Sequence, residues 1–409
     1  MLYGLLHTFG ERVPKDLNIF DSIITRAKSG CLLTRDELLC LISCNDRELP
    51  ALLDVAIGIN DKARPLRQIT FSPKVFLPLT NLCRDRCGYC TFVKGPNQKG
   101  AHTMSPSEVV SIAKRAAELG CKEALISLGD HPEYRHEEMV AILRSMGFAS
   151  TPEYVAEMSR LVFEETGLIP HTNCGVLSED EIGPIAEWNG SMGIMLESTS
   201  LRLHQLGEAH YQTTSKEPTM RINTIEAAAK VGIAMTTGIL LGIGETLSER
   251  IDSLLLIRET QKKLGNIQEV IIQNFRAKRT TRMSKSPEPD TLEMLKTLAV
   301  ARLIFGPEMN IQAPPNLNAE GYSEYLNCGI NDWGGISPLT VDFINPEAAW
   351  PQIKDLREKT FNSGYILRER TALYPEYIFN PRFKKQNPIH MRIEEMINKE
   401  GYIKQELEI

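Results

Sequence analysis

The run Lys74-Val75-Phe76-Leu77-Pro78-Leu79-Thr80-Asn81-Leu82-Cys83-Arg84-Asp85-Arg86-Cys87-Gly88-Tyr89-Cys90 opens as a short apolar strand and passes directly into three cysteines. Thiolates on one tight loop hold three corners of a [4Fe-4S] cluster and leave one iron open to a further ligand. The alternative is a closed zinc site in which His102 joins Cys83, Cys87 and Cys90. A structural zinc knuckle draws its ligands from two turns, whereas here the cysteines share one loop behind a buried strand, which favours the cluster. Chemistry at the C-terminal end of a strand is also the arrangement of a barrel enzyme.

Outward from that loop, apolar runs alternate with helix-length amphipathic stretches, the pattern of repeated βα units on a parallel sheet. The runs are Lys74 to Leu79, Glu123 to Leu128, Gly167 to Pro170, Met192 to Leu196, Ala234 to Leu241 and Glu269 to Gln273, with weaker ones at Met309 to Gln312 and Cys328 to Ile330. Helices are expected between them at Ser107 to Leu119, Tyr154 to Glu165, Thr224 to Val231 and Leu247 to Leu264. About eight such units predict an α/β fold of (βα)8 barrel type; a doubly wound open sheet shares the local pattern. Residues 1–66 form a helical extension before the barrel, which is assigned to 67–365, and 366–409 form a tail with a surface helix near Met391 to Lys399. Cys40 and Cys44, one helical turn apart, are assigned to packing.

With 409 residues, 42% hydrophobic and 24% charged, the composition is that of a globular enzyme. The net charge of -6, with basic residues interspersed among acidic ones, argues against nucleic acid as a partner. The opening MLYGLLHTFGERVP is too short an apolar run for a secretory signal, and no stretch suits a membrane span. A cytoplasmic location is expected, with the nine cysteines as thiols or metal ligands.

The other strand ends supply polar groups. Leu128-Gly129-Asp130-His131-Pro132-Glu133 offers a glycine for close backbone approach, and Asp130 or Glu133 as a carboxylate for an ammonium group. Glu197 ends the fourth strand as a carboxylate at the barrel mouth, where a solvated surface glutamate is the plain alternative. Arg221, at the start of a helix, suits a planar carboxylate. Thr237 to Glu245 ends the fifth strand in glycines that admit a flat base. Gln273 and Asn274 end the sixth, and the late run Gly329-Ile330-Asn331-Asp332-Trp333-Gly334-Gly335 sets amide and carboxylate groups beside two glycines, suited to a polar heterocycle.

The cysteine loop, with Tyr89 before the last cysteine, resembles the cluster motif of the radical S-adenosylmethionine superfamily. That resemblance implies a TIM-type radical SAM barrel whose cofactors are a [4Fe-4S] cluster and S-adenosyl-L-methionine. In that superfamily the open iron chelates the methionine amine and carboxylate, and an electron through the cluster releases a 5'-deoxyadenosyl radical. Tyr89, Asp130 or Glu133, Glu197, Arg221 and Ile243 are implied for the cofactor. Lys74 to Asn81, Pro170-His171-Thr172-Asn173 and Gly329 to Pro338 further resemble the FO synthase subunit 1 family, of CofG type. Cys174, in place of proline, and Ala277 to Thr280, in place of Lys-Pro-Gly, depart from it.

This second resemblance implies a lyase that closes 5-amino-5-(4-hydroxybenzyl)-6-(D-ribitylimino)-5,6-dihydrouracil to a deazaflavin with loss of ammonia. His171, Asn173, Gln273, Asn331 and Asp332 are the implied substrate residues. A CofH-type subunit that makes this tyrosine-uracil adduct is the implied partner, with ferredoxin or flavodoxin as low-potential electron donor. The alternatives are the sister CofH-type enzyme, or a relative acting on a menaquinone precursor or in metallocofactor maturation.

Overall fold

The computed structural model describes residues 19–404. The opening MLYGLLHTFGERVP and the last five residues lie outside them. Eight parallel strands follow in chain order: β1 (Gln68–Pro78), β2 (Glu123–Ser127), β3 (Ile169–Asn173), β4 (Ser191–Gly193), β5 (Met235–Leu241), β6 (Ile267–Asn274), β7 (Asn310–Gln312) and β8 (Asp332–Ile336). Each pairs with the next, and β1 pairs with both β8 and β2, so the sheet closes into the expected barrel. Closure excludes the doubly wound alternative, which leaves two edges.

Local chemistry explains the intervening helices. Pro106–Glu118 and Leu247–Leu264 begin with capping boxes, Ser105 with Glu108 and Thr246 with Glu249, in which each side chain bonds the other's backbone N–H. Thr151–Thr166, Pro218–Val231 and Leu247–Leu264 end on Gly167, Gly232 and Gly265 in the left-handed conformation. Pro218–Val231 starts earlier than the expected Thr224, because Pro218 serves as its first residue. The extension is helical as expected (Ile19–Lys28, Arg35–Ile42 and Leu49–Ala63), and Leu41 and Leu52 are fully buried in the main core.

Two assignments change. The eighth strand is Asp332–Ile336, while Cys328 ends a 3-10 helix. Residue 366 is no boundary either: Ile366–Glu369 forms β9, paired in parallel with the start of β1, and the following Arg370–Tyr374 runs across the floor of the barrel. The helix near Met391 is Pro388–Met396, and it buries Ile389 and Ile393. Among the described residues no helix is long and apolar enough to cross a membrane.

Candidate active site at the barrel mouth

Strand alternation sets what faces inward. Val75 and Leu77 pack outward against helices, which leaves Lys74, Phe76 and Pro78 on the inner face. The chain then turns over the mouth as the cysteine loop. Leu79 N–H donates to the Ser127 carbonyl (3.1 Å), and the Thr80 hydroxyl accepts from Leu82 N–H (3.2 Å). The Cys83 sulfur accepts two backbone N–H groups, from Asp85 (3.3 Å) and Asp130 (3.2 Å).

Gly129 explains how the β2 end comes so close. A Cβ there would stand 1.9 Å from the Leu82 carbonyl oxygen and 2.6 Å from Cys83 Cβ. Only glycine lets the two backbones meet.

Burial pushes the Cys83 thiol up, and pushes that of Cys87 to about 12, against an opposing pull from Lys216. Such thiols ionise when a metal takes the proton's place. Cys87 and Cys90 pack against an apolar shell of Tyr89, Leu203, Ala209, Leu240, Ile243 and Phe275. Two N–H groups aimed at a sulfur and an apolar shell fit an iron–sulfur cluster. The zinc alternative does not fit. His102 pairs with Glu108 on the surface (3.3 Å), and among the described residues no three His, Cys, Asp or Glu side chains converge on a single ion. A cluster binds each cysteine at a separate iron and needs no such convergence.

The cysteines open onto a cavity of about 300 Å³. Asp130 borders it, fixed by Arg84 (2.6 Å) and Val176 N–H (2.7 Å). Glu197 takes a left-handed φ of 65° and pairs with Lys216 (2.7 Å), close to the Tyr89 hydroxyl (3.5 Å). Arg221 is buried, with Nε and Nη1 donating to the Ser215 and Met195 carbonyls (2.9 and 2.7 Å), and it too borders the cavity. The same cavity is bordered by Asn173, Gln273, Asn274 and Gln312, from β3, β6 and β7, and by Lys74 from β1. A larger hollow of about 750 Å³ outside the mouth contains no cysteine.

Five sequence assignments change. Glu133 turns away and caps the helix at Thr151, accepting from its N–H (2.9 Å) and hydroxyl (2.6 Å), so of the two carboxylates only Asp130 faces the cavity. Ile243 is shut inside the apolar shell, and its N–H is tied to Glu245 (3.0 Å). His171 lies below the cavity. Ser191 gives its proton to the Ala372 carbonyl (2.6 Å) and accepts from His171 Nδ1 (2.7 Å).

Asp332 begins β8 and Asn331 precedes it, so both lie at the opposite end of the barrel. Arg302 donates to Asn331 (2.8 Å), while Arg370 grips both oxygens of Asp332 (2.6 and 2.9 Å). The neighbouring glycines do reach the cavity: a Cβ on Gly335 would overlap Lys74, and one on Gly334 would overlap Gln312. Lys74, Gln312 and Lys216 join the site only through the fold, although a lysine on the inner face of a buried strand is a readable signal.

Residues 77–257 match the Radical SAM superfamily. The 7,8-didemethyl-8-hydroxy-5-deazariboflavin synthase of Methanopyrus kandleri is 43% identical over 310 residues, covering 76% of this chain and 92% of that protein. The chain belongs to this family. It is a radical SAM enzyme, and the cofactors of the superfamily are a [4Fe-4S] cluster and S-adenosylmethionine. The FO synthase of Nocardia farcinica is 45% identical over 87% of the chain, and the chain spans 42% of that relative's length. The FeFe-hydrogenase maturase HydG of Carboxydothermus hydrogenoformans superposes with a TM-score of 0.71 at 18% identity over 89% of this chain and 81% of its own. Methylornithine synthase (PylB) superposes at 0.67 and 20% identity, over 84% of this chain and 97% of its own. Both support the family's barrel fold.

Proposed function

We propose that this chain converts 5-amino-5-(4-hydroxybenzyl)-6-(D-ribitylimino)-5,6-dihydrouracil to 7,8-didemethyl-8-hydroxy-5-deazariboflavin with release of ammonia, S-adenosylmethionine serving as the two-electron oxidant and leaving as 5'-deoxyadenosine and methionine. The observation that carries it is one small cavity lined by the three cysteines and by amide side chains. A wall of amides offers both donors and acceptors, as a uracil with a polyol chain requires.

Cys83, Cys87 and Cys90 hold the cluster. Arg221 suits the methionine carboxylate of S-adenosylmethionine, Glu197 the ribose hydroxyls, and Asp130 the ammonium group, with Tyr89 beside the cysteines. When bound, these cofactors supply a carbon radical that takes a hydrogen atom from the substrate. The protein orients the two reactants and keeps water out: Phe76 stacks on Trp350 (ring centroids 5.4 Å apart) at the substrate side, and Asn173 and Gln273 hold the heterocycle.

The adduct already carries a bond between a tyrosine-derived ring and a uracil, so another activity must form it. A CofH-type subunit is the functional partner, and a ferredoxin or flavodoxin supplies the low-potential electron. None of the nine cysteines is disulfide-bonded, which supports a reducing, cytoplasmic setting.

Anaerobically reconstituted protein with reductant, S-adenosylmethionine and the adduct is expected to yield a fluorescent deazaflavin and 5'-deoxyadenosine. Production of 5'-deoxyadenosine alone, with no deazaflavin, overturns the substrate assignment.

A further inference from the structure

Lys74 is the one ammonium group on the inner face of β1, and it borders the cavity from its floor. Its side chain is 14% exposed. The nearest carboxylate, Glu123 at the start of β2, stands 3.9 Å away, too far for a hydrogen bond but close enough to balance the charge. Burial alone would push the Glu123 carboxyl up, yet Lys74 and Arg370 hold it below the usual carboxylate range. The Phe76 ring lies 4.9 Å from Nζ and accepts no ordinary hydrogen bond. Among the described residues nothing accepts a hydrogen bond from the Lys74 ammonium, so its three N–H donors are open to whatever fills the cavity.

The fold makes room for this group at its own expense. A Cβ on Gly335 would fall 1.6 Å from Lys74 Cε, and one on Gly334 would fall 2.1 Å from Gln312 Nε2. Gly334 also has a φ of 76°, which side chains rarely adopt. Two successive glycines within β8 thus hold open the space that a lysine and a glutamine occupy.

We propose that Lys74 is the specificity-determining residue for the pyrimidine half of the substrate, donating to a ring carbonyl oxygen while Gln312 pairs with the adjacent ring edge. A charge-balanced ammonium with open donors suits a neutral ring rich in carbonyl groups. The assignment rests on the deazaflavin reading given above.

The test uses the full reconstituted chain, with a ribitylaminouracil as equilibrium-binding probe. Lys74→Met combined with Glu123→Gln removes both charges and leaves no unpaired carboxylate. It is expected to weaken probe binding and raise KM for the adduct at least tenfold. Iron content and 5'-deoxyadenosine formed without adduct should stay at the wild-type level. Gly335→Ala keeps the charge but displaces the lysine, and it should show the same split.

A double variant that binds the probe within twofold of wild type overturns the role of Lys74, even if wild type makes deazaflavin. Wild type that makes no deazaflavin, yet binds the probe in a Lys74-dependent way, overturns the reaction and leaves the lysine's role standing. Wild type that neither makes deazaflavin nor binds the probe overturns both.

Discussion

The two ends of the barrel bury charge in opposite ways. At the bottom, Arg370 is saturated: it grips Asp332 with two nitrogens and reaches Glu269 (3.3 Å), which also accepts from Tyr374 (2.8 Å) and Thr236 (2.9 Å). At the mouth, Lys74 has open donors, buried thiols face a cavity, and Gly129, Gly334 and Gly335 leave space where side chains would stand. Buried polar groups that answer one another hold a fold together. Those left unanswered beside a cavity are waiting for a ligand.

Substitutions at the two ends should therefore separate activity from stability. The largest effect is expected at the mouth. Cys87→Ala deletes a cluster ligand, so iron should fall from about four per chain toward zero and 5'-deoxyadenosine should drop below detection. Wild-type iron content in this variant would break the comparison at its strongest point.

Next comes the bottom. Arg370→Met strands the carboxylates of Asp332 and Glu269, and urea unfolding should show a loss of about 3–5 kcal/mol. Iron bound per folded chain should not change.

A smaller effect is carried by His171. Burial lowers its pKa to about 4, so the folded protein takes up its proton later than the unfolded chain, whose histidines titrate near 6.5. The unfolded state binds more protons in that window. Stability is complete above pH 6.5 and declines as the pH falls toward 4, by about 3 kcal/mol at most. Urea midpoints measured across that window should fall less steeply for His171→Gln than for wild type.

The smallest effect returns to the mouth. Glu197→Gln should raise KM for S-adenosylmethionine about tenfold, with a loss of unfolding free energy of about 1–2 kcal/mol, because glutamine keeps an acceptor for the buried Lys216. An equal loss at both readouts would make Glu197 a structural residue like Asp332.

The sequence revealed the cysteine loop, the barrel and most strand positions, because periodicity and spacing are local signals. Which end of the barrel a polar residue occupies is not local. With β8 placed at Cys328 to Ile330, Asn331 and Asp332 stood at its outlet; the true strand begins at Asp332 and sends both to the floor. Ile243 and Glu133 misled for a related reason. Each sits in a loop beside the site, and only the fold decides that one turns into an apolar shell and the other to a helix cap. His171 faces inward as its strand pattern required, but one layer too deep to reach the cavity.

The seam at β1 also bears on how the chain folds. Thr70 pairs with Asp332 and with Arg368, so this early strand has partners made near the other end of the described chain. Until they arrive, β1 presents an unpaired edge. Pairings this distant in sequence make folding slow. Refolding from urea should consequently be concentration-sensitive, with aggregation competing for that open edge before the barrel shuts.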